Sequence, residues 1–141
     1  MTLIKQLENE LKELFAQRED SYKNMTVKEA YKKLPKTKYP MTTIEEIDNS
    51  EVYSRSTAEG EQTTLLTYQI VNYSRDTDEH EYVESAKFVA NIINDYIMSN
   101  YKMRRLGAPV VTPYIQDNTV MTCIQRYSCV YDKETNLIYK N

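Results

Sequence analysis

Residues able to carry out covalent or proton-transfer chemistry are few in this chain, and they are far apart. His80 is its one histidine. A zinc site with three protein ligands would need cysteines or carboxylates gathered around it, and both cysteines, Cys123 and Cys129, belong to a different segment. A Ser/His or Cys/His pair would need the imidazole held by a third group, and nothing in the spacing around His80 suggests one. His80 reads as an exposed residue in the first turn of a helix. Gly60 and Gly107 are the only glycines, too few for a loop whose backbone N–H groups surround a phosphate. Paired carboxylates occur at Glu45 and Glu46, inside an acidic stretch where a solvated charge cluster is the ordinary state. The expectation is a protein that is not an enzyme and holds no cofactor and no metal, an active site assembled between subunits being the exception left open.

The cysteines lie six residues apart in one segment of alternating character. In a strand they share a face but stand roughly 20 Å apart at about 3.3 Å per residue, whereas a disulfide needs Cα atoms within about 7 Å. They read as small apolar side chains of a reduced protein.

The elements that must carry these residues follow from periodicity. Leu3, Ile4, Leu7, Leu11, Leu14 and Phe15 recur at helical steps, and Lys5, Glu8, Glu10, Lys12 and Glu13 fill the other face, which predicts an amphipathic helix from about Thr2 to Arg18. A basic stretch follows, in which Lys23, Lys28, Lys32, Lys33, Lys36 and Lys38 meet only Glu29. It is expected to hold a short helical turn around Val27 to Leu34, ended by Pro35. Met41 to Ile47 has strand character, Ser54 to Gln62 reads as a hairpin loop, and Gln62 to Ser74 is a strand with Leu66, Tyr68 and Ile70 on one face. Asp78 and Glu81 resemble a capping box ahead of a helix from about Glu79 to Asn100, whose stripe includes Ala86, Val89, Ala90, Ile93, Tyr96 and Ile97. A strand is expected between Met103 and Val111, then a loop from Pro113 to Asn118. Thr119 to Tyr131 alternates again, with Tyr127 and Cys129 on the core side, and Leu137 to Tyr139 returns after a turn. This order predicts one domain over residues 1–141 of the α+β class: a mostly antiparallel sheet of about four to five strands with the N-terminal and central helices packed on one face.

The chain has 141 residues, a net charge of −3, thirteen tyrosines and no tryptophan. That is room for one core. The balance supplies no global basic field to draw nucleic acid or anionic lipid, and no run nears the ~20 apolar residues of a membrane helix. Lys and Glu interrupt the first fifteen residues, unlike a signal peptide. Charge is nevertheless segregated: the lysine stretch is followed by Glu45, Glu46, Asp48, Glu51, Glu59 and Glu61, relieved only by Arg55. Such runs are commonly solvated loops. Their functional reading is a subunit with a basic and an acidic edge that binds its own copy head to tail, through Lys28, Lys32 and Lys33 against Glu45, Glu46, Glu59 and Glu61. A second basic group, Lys102, Arg104, Arg105 and Arg126, could face a polyanion or another partner.

Several short motifs stand in a characteristic order: the amphipathic helix, the lysine stretch leading into Tyr39-Pro40-Met41, an acidic loop, the strand Tyr68-Gln69-Ile70-Val71-Asn72-Tyr73-Ser74, a long helix, a Pro-bearing loop with Asp117-Asn118, a strand with Arg126-Tyr127 and the terminal Ile138-Tyr139. Over nearly the whole chain this resembles the tail-terminator and minor-capsid (tail-completion) proteins of long-tailed bacteriophages. The resemblance implies a structural virion protein, assembled in the host cytoplasm, that forms a hexameric ring at the head-proximal end of the tail tube. Its partners would be its own copies, the tail tube protein and the head connector protein, with DNA passing through the lumen without sequence-specific binding and Lys102, Arg104, Arg105 and Arg126 facing that lumen or a partner. Another neck component, such as a head–tail joining protein, fits the same logic. Two other classes compete: a small cytosolic enzyme with a Tyr/Arg/carboxylate site, which needs a deep pocket at Arg126 or Arg104, and a nucleic-acid-binding module, whose affinity would fall steeply with salt.

Overall fold

The computed structural model describes residues 3–20, 22–23, 25–29, 40–51, 63–75, 82–114, 117–132 and 137–139. In chain order the elements are α1 (Leu3–Ala16), β1 (Thr26–Glu29), β2 (Met41–Glu51), β3 (Thr63–Arg75), α2 (Tyr82–Asn100), β4 (Arg104–Arg105), β5 (Val110–Tyr114), β6 (Asp117–Asp132) and β7 (Leu137–Tyr139). The fold is α+β, and both helices pack on the sheet.

The strands form one sheet in the order β1-β2-β3-β6-β4, with β5 and β7 also paired to β6. Every pairing is antiparallel except β1 with β2. The seven described strands exceed the expected four to five because β6 is long enough for three short partners along one edge: β5 near its start, β4 at Tyr127 and Ser128, and β7 at its end.

Three expectations need correcting. The region from Val27 begins as a strand and not a helical turn: Thr26 and Val27 are β-branched, suited to a pleated surface, and Val27 is buried in the core while the segment pairs in parallel with Met41 to Ile44. Residues 30–39 lie outside the described residues. The strand expected between Met103 and Val111 is split into β4 and β5, because Gly107 takes a φ of +78° and Pro109 has no N–H to give to a ladder. The loop expected from Pro113 is partly strand: Pro113 and Tyr114 end β5 and Asp117 opens β6. Pro113 is tolerated because β5 lies at the sheet's edge. The hairpin loop of Ser54 to Gln62, the capping pair Asp78 and Glu81, and His80 all lie outside the described residues.

The core sits between the helices and one sheet face. Register puts Ile44, Leu66, Tyr68, Ile70, Tyr127 and Cys129 on that face, where they meet Leu7, Leu11 and Phe15 of α1 and Val89, Ile93 and Ile97 of α2. Helix α1 covers β1 and β2, and α2 covers β3 and β6. Glu8, expected on the solvated face of α1, is fully buried. It lies one turn from both Ile4 and Leu11, at the margin of the apolar stripe, and Lys5 and Lys12 reach its Oε1 at 3.3 and 2.9 Å.

Candidate functional site

No described helix lies on the opposite sheet face, which carries four of the seven described charged residues singled out in the sequence, Lys28, Glu45, Arg104 and Arg126. Thr43, Thr67, Val71, Val120, Thr122, Ser128 and Val130 point to this side and are buried. The rings of Tyr73 on β3 and Tyr114 on β5 meet edge to face across β6, 5.2 Å between centroids.

One polar row crosses this face. Glu45 on β2 stands opposite Gln69 on β3, which stands opposite Arg126 on β6. Because side chains alternate along a strand, register alone points all three to the same side. Arg126 Nε donates to Gln69 Oε1 at 2.9 Å, and the Leu106 N–H donates to the Arg126 carbonyl at 2.8 Å, extending the row to the β4–β5 connection. Glu45 and Arg126 are exposed and Gln69 is half-buried.

The other singled-out residues fall around this row. Lys28 is half-buried on β1, opposite Thr43, so it shares a face with Glu45. Glu46 is exposed beside Glu45, and the exposed Ile47 is the extra residue of a β-bulge between Glu46 and Asp48. Arg104 is exposed opposite Ser128, on the helix-free side, and Arg105 is half-buried opposite Tyr127, on the helix side. Lys102 is exposed between α2 and β4. Lys32, Lys33, Glu59 and Glu61 lie outside the described residues. Thus Glu45 and Arg126, assigned from sequence to different surfaces, share one face two strands apart.

A second polar system, which periodicity did not reveal, lies beneath α2. The Tyr127 hydroxyl donates to Asn94 Oδ1 at 2.8 Å, with Gln125 Oε1 3.2 Å away. Thr42 Oγ1 donates to Asn72 Oδ1 at 2.6 Å, and Ser85 of α2 links Tyr22 and Ser74 at 3.0 and 3.3 Å. Burial raises the Tyr127 hydroxyl pKa, so the phenol stays protonated as a donor. Burial also raises the Cys123 thiol, with Lys87 and Arg105 partly opposing it, and pushes Cys129 up to about 12, with Glu46 adding to the effect. A nucleophilic cysteine needs the reverse. The Tyr127–Asn94 and Ser74–Ser85 bonds fasten α2 to the sheet, and Thr42–Asn72 joins β2 to β3. The sequence signal was present, since Asn72, Ser74 and Gln125 interrupt the apolar side of their strands, but a lone polar residue in an alternating pattern does not name its partner.

Arg126 meets an amide oxygen and is exposed, as is Arg104. Among the described residues no group of three or more His, Cys, Asp or Glu side chains is placed to hold a metal ion, and no helix is long and apolar enough to cross a membrane. No protein-family model matches the chain, and no curated protein matches it in sequence.

Proposed function

We propose that this chain is a structural subunit of a bacteriophage neck: a tail terminator that closes into a ring on the end of the tail tube and joins it to the head connector. The observation that carries the reading is the one-sided architecture. Both described helices lie on one face of the sheet, and exposed charged residues stand at two of its margins, where neighbours can meet them. The order of the quoted motifs supports it. Tyr68 to Ser74 lie within β3, Asp117 and Asn118 open β6, Arg126 and Tyr127 sit at its middle, and Ile138 and Tyr139 lie in β7. In such a subunit the chain's own residues bind and position other proteins, and no bond is made or broken.

The test is binding of the purified chain to purified tail tubes, read by electron microscopy, with particle mass measured by light scattering. Ring-shaped density at one tube end and a sixfold mass are the expected results. A chain that binds no tube end and forms no ring overturns the reading. Binding to the head connector without the tube would move it to the head–tail joining role.

A further inference from the structure

Among the described residues the sheet is open at both sides, and beyond Lys28 of β1 its two margins carry charge of opposite sign. On one side β1 pairs with β2 only from Met41 to Ile44. From Glu45 onward, no described strand covers that edge of β2, and Glu45, Glu46 and Ile47 are all exposed. The bulge falls at this point and turns Ile47, 41% exposed, outward; bulges re-aim side chains in this way. On the far side, β4, the connection after it and β5 form the margin. There Arg104, Leu106 and Val110 are exposed, Val110 at 57%, with Arg126 one strand in. Three of the five large apolar side chains exposed among the described residues, Ile47, Leu106 and Val110, therefore lie at these two margins. Each is set beside charge of one sign, and the signs are opposite.

Charged residues and bulges on an edge strand commonly serve to repel another edge. Here they repel a like edge and attract the unlike one. We propose that the Glu45–Glu46–Ile47 margin of one copy docks on the Arg104–Leu106–Val110 margin of a second copy, Ile47 packing between Leu106 and Val110 while Glu45, on the helix-free side, faces Arg104 and Arg126, and Glu46, on the helix side, faces Arg105. Gln69 occupies only one of the several N–H donors of Arg126, and a carboxylate accepts two at once. Because the two margins are different surfaces on opposite sides of one sheet, the contact is head to tail. It leaves an unlike margin open at each end and can repeat until it closes. This deepens the ring reading, on which it rests for closure, and it assigns Arg104 and Arg126 to the contact between subunits instead of to the lumen.

The experiment compares the wild-type chain with E45K/E46K and with R104E/R126E by light scattering over a concentration and salt series. Each reversal is expected to weaken self-association at least about tenfold, and an equimolar mixture of the two is expected to restore it. I47C mixed with V110C is expected to form a crosslink under a bifunctional thiol reagent, and neither variant alone to do so through its new thiol. Circular dichroism of each variant checks folding, and a variant that fails it is replaced by I47K or V110K, which must weaken association in the same way. A wild-type chain that remains monomeric overturns the docking, as does assembly that survives both reversals or I47C crosslinking to itself. A sixfold ring untouched by the reversals sinks this contact but leaves the ring reading standing. Head-to-tail assembly without tube binding does the opposite.

Discussion

The Tyr96 hydroxyl of α2 donates to the Glu10 carboxylate of α1 at 2.6 Å, a side-chain bond that ties together two helices distant in sequence. Gln6 donates to the other Glu10 oxygen at 3.0 Å. Burial raises the Glu10 pKa, but the hydrogen bonds from Tyr96 and Gln6 outweigh it, and the carboxyl lies below its ordinary 4.5. Burial first, and Glu10 second, push the Tyr96 hydroxyl up to about 12.

The pair therefore has opposite pH limits. The depressed carboxyl contributes stability that is present above pH 4.5 and lost as pH falls through its lower folded value. The raised phenol contributes stability that is present below pH 10 and lost as pH rises toward 12. Tyr96→Phe is expected to cost about 1–2 kcal/mol at neutral pH and to flatten the acid limb, as measured by urea unfolding across a pH series. An unchanged acid limb would show that the bond does not couple the helices.

Tyr127→Phe removes one hydroxyl and leaves Asn94 and Gln125 without it beneath α2. A loss of about 1–3 kcal/mol is expected, because a buried polar group that loses its partner bears the desolvation penalty. The urea midpoint should fall with an unchanged slope, the mark of lost stability without a change in the surface exposed. A midpoint within error of wild type would rule out a role for this bond in holding α2.

Gly107 sits at a φ of +78°, and a Cβ added there would meet no atom within 4 Å. Gly107→Ala thus tests backbone conformation without a clash. A cost of about 1–2 kcal/mol is expected, from the crowding of Cβ against the carbonyl in the left-handed region. Gly107→Asn should cost less, since Asn visits that region more readily. Equal thermal midpoints for wild type and Gly107→Ala would mean that the β4–β5 connection relaxes into another conformation.

Strong periodicity translated well into structure. The stripe of α1 at Leu3, Leu7, Leu11 and Phe15, the stripe of α2 at Val89, Ile93 and Ile97, and the alternation of Leu66, Tyr68 and Ile70 all became core. Each rests on local geometry repeated over several turns or pleats, so the neighbours in sequence suffice. Where the pattern was short it misled. Val27 is one apolar residue among lysines, and only its pairing with β2 makes it strand. Glu8 looked solvated because its type is usually exposed; its position at the stripe's margin and the two lysines beside it allow burial.

The charge pattern shows the same division. That acids and bases are separated along the chain is visible in the letters alone, and the helix stripes and strand alternation follow from 3.6-residue and two-residue periods. Which charges stand together is a matter of register between strands that are far apart in sequence. Only tertiary pairing brings Glu45, Gln69 and Arg126 into one row, and only the sheet's order places the Glu45–Ile47 margin across from that of Arg104 and Val110. Local propensity sets the face each side chain takes along its own strand. The neighbour across the ladder is chosen by the hydrophobic burial of the whole sheet under its two helices.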